Sequence, residues 1–482
     1  MRRVFFPIFI LLFLSNLIFS KVPLPSTWKG PIKKGEKVVL TYKKGLNLKK
    51  LYESPFFSSS DYRLLVIFEK NLYENLDQYV DLFFGELENS GYSISVYEYG
   101  SGTPEELRNF FKDIYFTGHS LKGVIFVGNL PYVIFEMYDR WEIWDYLNGY
   151  DDFPCDLFFM DMTGEWLDVG ACDGCEANNG KYDKFLDDKN IAEIWVSRIT
   201  PGFISDYDEY IRLLNSFFKK DYLYRHGVIL NSDKALDYVD DDWKWMTNED
   251  KLKLGILFGF QNVDVPVEDT HGNVCTAEDY KDNRMIYPYQ MVYLRSHGSP
   301  MNHGFYQNDK SEFKYVLIDD YLNIMPSSAF YLLYTCSGCD FSYDGGDGFL
   351  GGRALFNGEG GLLSIGTTKT GGMWYDSSFF INLFCGKSFG ESFLGWINDA
   401  FAAYPETGKP WWYGMTIIGD GSLSVFSNGG ICFNPKINVN QLLKLKYKLK
   451  GNLNISGCFD ENGDGRVNGD DEKYLKKKMV NY

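Results

Sequence analysis

The chain is predicted to be an α/β protein built on a mostly parallel sheet, arranged as two adjoining units covered by helices. Apolar runs alternate with helix-period segments through residues 61–205, and the same alternation starts again over 206–430. With 45% hydrophobic and 18% aromatic residues in 482, the chain has ample core and does not depend on disulfides to fold.

In the first unit, YRLLVIF at 62–68 reads as a buried strand, and LYENLDQYVDLFFGEL at 72–87 places apolar residues at helical spacing. SISVYEY at 93–99 is a second strand. Thr103, Pro104 and Glu106 then announce a helix: a capping threonine, a proline at the first position, and a glutamate that bonds back. KGVIFVGNLP at 122–131 is a third buried strand. The Asp-, Gly- and Asn-rich stretch from 150 to 190 reads as loops around two further strands, CDLFFMDM at 155–162 and AEIWVSRI at 192–199. The second unit offers four runs of the same kind: GVILNS at 227–232, MVYLRSH at 291–297, AFYLLYTC at 329–336 and GLLSIGT at 361–367.

The chain ends carry different signals. Arg2 and Arg3 precede the apolar run VFFPIFILLFL, and Ser20 supplies a small residue, so residues 1–20 are expected to be a secretory signal peptide cleaved near Ser20, followed by a short segment over 21–60. Later runs fall short of the roughly 20 apolar residues a membrane span needs. The mature chain is therefore expected to be exported, secreted or held at the cell surface, without a membrane span. A net charge of −17 excludes nucleic acid and anionic membrane as natural partners and suits a cation-binding exterior. Nine cysteines form at most four pairs, and the ninth is either intermolecular or a working thiol.

A catalytic thiol needs a base, and the chain has only five histidines. His297 ends one apolar run and is followed by Gly298; Cys336 ends the next. Residues just past the carboxyl ends of strands face the ligand crevice of an α/β sheet. Adjacent strand ends would bring imidazole and thiol together there, with the Gly298 N–H as an oxyanion donor. Spacing alone fits a buried free cysteine and a hydrogen-bonded histidine equally well. His119, His226, His271 and His303 do not end apolar runs and are expected to be structural or solvated.

The order of motifs separates these readings. KGVIFVGNLP, CDLFFMDMTGEW with AEIWVSRI, the His297-Gly298 pair, Cys336, GLLSIGTT, KSFGESFLGWIND and TIIGDGSLSV follow one another over residues 61–426. This series resembles the gingipain-type branch of the caspase-like cysteine peptidases. The resemblance implies a caspase-like fold, protein or peptide substrates, Cys336 as nucleophile and His297 as general acid/base. It also places an acidic orienter of the imidazole near Asp233, which a helix cap would explain as well, and an acidic reader of a basic substrate side chain near Asp241 and Asp242, a charge run that also suits a solvated face. Two positions depart from the pattern: Ser296 stands where glycine is common, and Gly421 where proline is usual.

The cysteine spacing and the acidic tail support further readings. Cys336 and Cys339 form a CxxC, as in thiol oxidoreductases, and Cys172 with Cys175 are expected to form a local disulfide. A lysine-, leucine- and asparagine-rich linker over 431–456 leads to an acidic module at 457–482. There Asp460, Asn462 and Asp464 occupy positions 1, 3 and 5 of a calcium loop, Gly465 the sharp turn, Arg466 the carbonyl position, Asn468 position 9 and Asp471 position 12. The module resembles half of a dockerin, implying structural Ca²⁺ and a cohesin-type scaffold as partner. A non-catalytic, calcium-dependent binding protein on a peptidase fold is the alternative from another class.

Overall fold

The computed structural model describes residues 40, 42–55, 62–117, 121–141, 148–186, 191–229, 231–266, 275–307 and 311–425. The signal segment, the linker, the calcium-loop module, His119 and His271 lie outside the described residues.

In chain order the strands are β1 (Asn47–Glu53), β2 (Tyr62–Phe68), β3 (Tyr92–Ser101), β4 (Leu121–Val127), β5 (Ile134–Asp139), β6 (Gly149–Pro154), β7 (Glu165–Leu167), β8 (Lys184–Leu186) and β9 (Trp195–Ile199). They continue with β10 (Ser232–Val239), β11 (Val263–Asp264), β12 (Tyr289–Arg295), β13 (His297–Ser299), β14 (Asn302–Gln307), β15 (Glu312–Leu317), β16 (Phe330–Tyr334), β17 (Leu363–Thr367) and β18 (Met415–Gly419). Eleven of them form one sheet, in the order β1-β3-β2-β4-β9-β18-β17-β16-β12-β10-β11. Its neighbours run parallel except β1 with β3 and β17 with β18. The two halves of the chain meet within that sheet, where Arg198 of β9 pairs with Ile418 of β18.

Helices on both faces explain why the central strands are apolar throughout rather than alternating. Leu64, Val66 and Phe68 of β2 enter one core, while Leu65 and Ile67 enter the other. The helix Pro104–Phe116 starts as its sequence announces: Thr103 Oγ1 accepts from Glu106 N at 3.2 Å, and the Glu106 carboxylate accepts from Thr103 N at 2.9 Å.

Two runs fold differently from the expectation. CDLFFMDM contains a helical turn, Leu157–Met160, whose four residues are all buried. A short run buried on every side has no period that separates strand from helix. GVILNS is also not the strand of its region. Val228 is exposed, and β10 begins only at Ser232, continuing through SDKALDYV. The polar Lys234 and Asp237 disguise this strand in the sequence.

Several resembling motifs prove to be packing devices. Arg198 of the AEIWVSRI run donates to Asp156 at 2.6–3.0 Å, and Thr416 of β18 donates to the same carboxylate at 2.7 Å. Ser388 and Glu391 form a second capping box at the start of the helix Phe389–Ala403. The two departures have local partners as well. Gly421 N donates to Ser197 Oγ at 3.3 Å, a donor that proline lacks. The Ser296 hydroxyl lies 3.3 Å from His303 Nδ1.

Candidate active site

β12 and β16 are parallel neighbours, with Arg295 opposite Tyr334. Ser296 N donates to the Tyr334 carbonyl at 3.1 Å, so the register persists one residue beyond the strands. His297 and Cys336 each follow two residues after that last pair, and they leave the same edge of the sheet from adjacent strands. His297 then opens β13, which forms a small antiparallel sheet with β14 and β15.

The imidazole is held on several sides. Its Nε2 lies 2.9 Å from Asp242 Oδ2 and 3.8 Å from Asp240 Oδ1. Trp243, Tyr306 and Phe313 place rings 4.7, 5.3 and 5.6 Å from its centre. Asp240 is fully buried and accepts from the backbone N–H groups of Asp242 at 2.9 Å and Tyr306 at 2.7 Å. Burial pushes its carboxyl up to about 6, with His297 pulling the other way. The ligand atoms of Asp240, Asp242 and His297 all lie within 4.8 Å of one another, so the trio also has the donor types of a divalent-cation site.

Cys336 is half-buried and carries a free thiol. Burial raises that thiol above its usual range, while the Gly371 N–H and the Lys369 charge act in the opposite sense. Ser337, just after it, has φ 53°, a left-handed backbone that costs energy for a residue with a side chain. The turn is fixed from outside, because Ser337 N donates to the Lys369 carbonyl at 2.7 Å and Cys339 N to that of Thr367 at 3.0 Å. Gly298 is required by close approach: a Cβ there would stand 2.0 Å from Thr335 Oγ1 and 2.8 Å from the Asn302 carbonyl.

A buried charge network supports the histidine strand from beneath. Arg295 donates to Asp250 at 2.5 and 2.8 Å and to the Tyr293 hydroxyl at 2.5 Å; Tyr293 in turn donates to Asp376, which Lys253 also meets at 2.5 Å. The Lys253 and Arg295 charges hold the Asp376 carboxyl below its usual range despite its burial.

The acidic residues singled out in the sequence are distributed differently from the expectation. Asp233 is exposed at the amino-terminal start of β10, while the site lies past that strand's carboxyl end, so the structure does not bring Asp233 to the imidazole. The displaced start of β10 is the physical reason. Asp241 pairs with Lys244 at 3.3 Å, and Asp242, expected near substrate, bonds the histidine instead. Asp240 was missed, and a correct reading of SDKALDYV as the strand would have placed it one residue past the edge. The other described histidines bond to other groups. His303 is fully buried between Ser296 and the Tyr321 hydroxyl, its ring pulled down to about 3 by burial. His226 lies 3.0 Å from Glu86. Cys172 and Cys175 form the expected local disulfide, whereas Cys336 and Cys339 are both free and Cys339 has no exposure.

A histidine and a cysteine at adjacent strand ends of a large α/β sheet define the class of caspase-like cysteine peptidases. The chain belongs to peptidase family C25, the gingipain family, whose model matches residues 58–426. Its fold is similar to the crystal structure of the Arg-specific cysteine proteinase gingipain R, with TM-score 0.51 and 15% identity over 79% of this chain and 82% of that one. A second solved structure, described as a protease, gives TM-score 0.48 and 12% identity over 76% and 78%. Among curated proteins, none matches the chain in sequence. Among the described residues, no helix is long and apolar enough to cross a membrane.

Proposed function

We propose that this cysteine peptidase is a secreted endopeptidase that cleaves through a Cys336–His297 dyad. The observation that carries this reading is the register of β12 and β16, which sends the two residues out side by side. With Nε2 committed to Asp242, Nδ1 is the nitrogen that takes the thiol proton. The thiolate attacks the scissile carbonyl carbon. The Gly298 N–H is assigned to the developing oxyanion, and His297 returns its proton to the leaving amine. Water then hydrolyses the thioester. Burial of Cys339 argues against the dithiol redox alternative, which needs an accessible pair.

Substrates with a basic residue on the acyl side of the cut bond fit the charge distribution. The β5–β6 hairpin brings Asp139 and Asp151 beside the crevice against a single lysine, Lys369, and leaves one carboxylate in excess. The Arg specificity stated for gingipain R agrees with this preference. A peptide-library profile dominated by aromatic or acidic residues at that position removes it.

Export rests on the charged, apolar and small-residue pattern of residues 1–20. Calcium binding rests on the oxygen donors Asp460, Asn462, Asp464, Asn468 and Asp471 with the Arg466 carbonyl, at the spacing a hard cation requires. Attachment to a cohesin-type scaffold follows from the same module. Labelling of the full chain with a thiol-reactive peptide probe tests the enzymatic reading. Adduct at Cys336 in the wild type, and none in Cys336→Ala, is expected; no adduct under conditions that label an active cysteine peptidase favours the non-catalytic binding protein.

A further inference from the structure

Beside the nucleophile the chain buries a lysine that the chemistry above does not use. Lys369 follows β17 by two residues, and its side chain has no solvent exposure. Its Nζ lies 2.6 Å from Asp139 Oδ2 and 3.8 Å from Asp151 Oδ2. It donates to the carbonyls of Thr370 at 2.8 Å and Pro410 at 3.3 Å, and it stands over the rings of Trp141 and Phe153 at 5.0 and 5.5 Å. Asp139, Trp141, Asp151 and Phe153 all come from the β5–β6 hairpin region of the first half of the chain. The Lys369 carbonyl meanwhile accepts from Ser337 N at 2.7 Å, next to Cys336. One residue thus ties the hairpin to the nucleophile turn through its side chain and its backbone together.

Stability is a poor explanation for this arrangement. Burying an ammonium and a carboxylate costs several kcal/mol each, and an apolar pair of similar size commonly holds two elements together as well. Asp139 Oδ1 has no hydrogen-bond partner, and its carboxyl is pushed up to about 7 by burial, so the pair is not optimised as a pin. An apolar pair would not, however, place a fixed positive charge next to a half-buried thiol whose ionisation burial opposes.

We propose that Lys369 is a positioning residue of the reaction: clamped by Asp139, its ammonium favours the Cys336 thiolate in the resting enzyme, and Asp151 acts against it. This rests on the reading of Cys336 as nucleophile. The groups that act on the sulfur are the Gly371 N–H, Lys369 and Asp151 from the hairpin, with Tyr334 from its own strand; Asp340 acts in turn on Asp151, and His297 leaves the neighbouring strand end. Lys369 and Asp151 are the pair of opposite sign, so substitutions at the two predict opposite shifts. A basic substrate group docked on Asp151 would cancel that opposition and promote ionisation as it binds.

The test is the pH dependence of Cys336 alkylation by iodoacetamide, read by mass spectrometry on the full chain. Lys369→Met is expected to raise the midpoint by about one pH unit, Lys369→Arg to restore it, and Asp151→Asn to lower it. Should Lys369→Met fail to fold by circular dichroism, the charge-balanced double variant Lys369→Met with Asp139→Asn takes its place, with the same upward shift expected. The half-buried Asp151→Asn is an independent arm. An unchanged midpoint in the folded lysine variant, or no fall in Asp151→Asn, overturns the proposal. Hydrolysis that survives in Cys336→Ala would instead overturn the nucleophile assignment, a separate result.

Discussion

Asp242 Oδ2 lies 2.9 Å from His297 Nε2, joining the residues that follow β10 and β12 across the edge of the sheet. A carboxylate there fixes which imidazole nitrogen carries the proton and favours the imidazolium that forms during proton transfer. Asp242→Asn is expected to lower kcat by about 10²-fold, within the usual range for a general acid/base contribution, with KM little changed. Steady-state kinetics on a peptide substrate measure this. Activity within twofold of the wild type would mean that the contact does not serve the reaction.

Asp240 sets a pH dependence. Its carboxyl, pushed up to about 6 by burial, loses its charge below that value, and with it the attraction for His297 at 3.8 Å. The acid limb of kcat/KM is expected to have its midpoint near 6, and Asp240→Asn should remove that limb. The stability effect has a definite sign. Because the folded value lies above the unfolded one of about 4, proton binding contributes stability that is full below about 4 and is lost as pH rises through about 6. The melting-temperature difference between Asp240→Asn and wild type should therefore move in favour of the variant between pH 4 and pH 8. A difference that stays flat over that range contradicts the assignment.

Much of this was legible in the sequence because the physics behind it is local. Thr103, Pro104 and Glu106 specify their helix start within four residues, and LLVIF declares a strand buried on both faces. His297 and Cys336 stood out because each ends an apolar run that is a real strand. The acidic partners failed for the converse reason. GVILNS has the better strand composition, but tertiary packing chose SDKALDYV, and that shift moved the strand end from Asp233 to Asp240. The Lys369–Asp139 contact joins residues from opposite halves of the chain, and no periodicity reports such a pairing.

Gly298 tests how tightly the crevice is built. An alanine methyl would clash with Thr335 Oγ1 at 2.0 Å and the Asn302 carbonyl at 2.8 Å, so β13 must move. Gly298→Ala is expected to cost about 1–3 kcal/mol of stability, as overpacking does, and to displace both His297 and the neighbouring N–H. Thermal melting with and without Thr335→Ala separates the two contacts. Removing the hydroxyl should recover part of the loss, and full activity in Gly298→Ala alone would show that the strand yields without consequence.

Cys336 and Cys339 should behave oppositely on replacement. Cys336→Ala is expected to abolish peptide hydrolysis with little change in stability, since the side chain is half-buried. Cys339 packs with no exposure against Gly351 and Gly366, so Cys339→Ala leaves a small cavity and is expected to cost about 1–2 kcal/mol while most activity remains. An inactive Cys339→Ala with an active Cys336→Ala would transfer the nucleophile role to the second cysteine.

The terminal loop should be separable from catalysis. In the proposed calcium loop, Asp460, Asp464 and Asp471 would bring three carboxylates to one point, which repulsion opposes unless a cation offsets it. Calcium is therefore expected to order residues 457–482, and circular dichroism of the full chain should change on its addition and reverse with chelator. The family match ends at 426, so a chain truncated after 436 retains the whole matched region, with the proposed Cys336–His297 dyad inside it. That truncation should keep peptidase activity and lose one equivalent of bound calcium. Activity that vanished with the tail would place the module in the catalytic body. Calcium stoichiometry that survived truncation would move the ion elsewhere, with the Asp240–Asp242–His297 trio the first place to look.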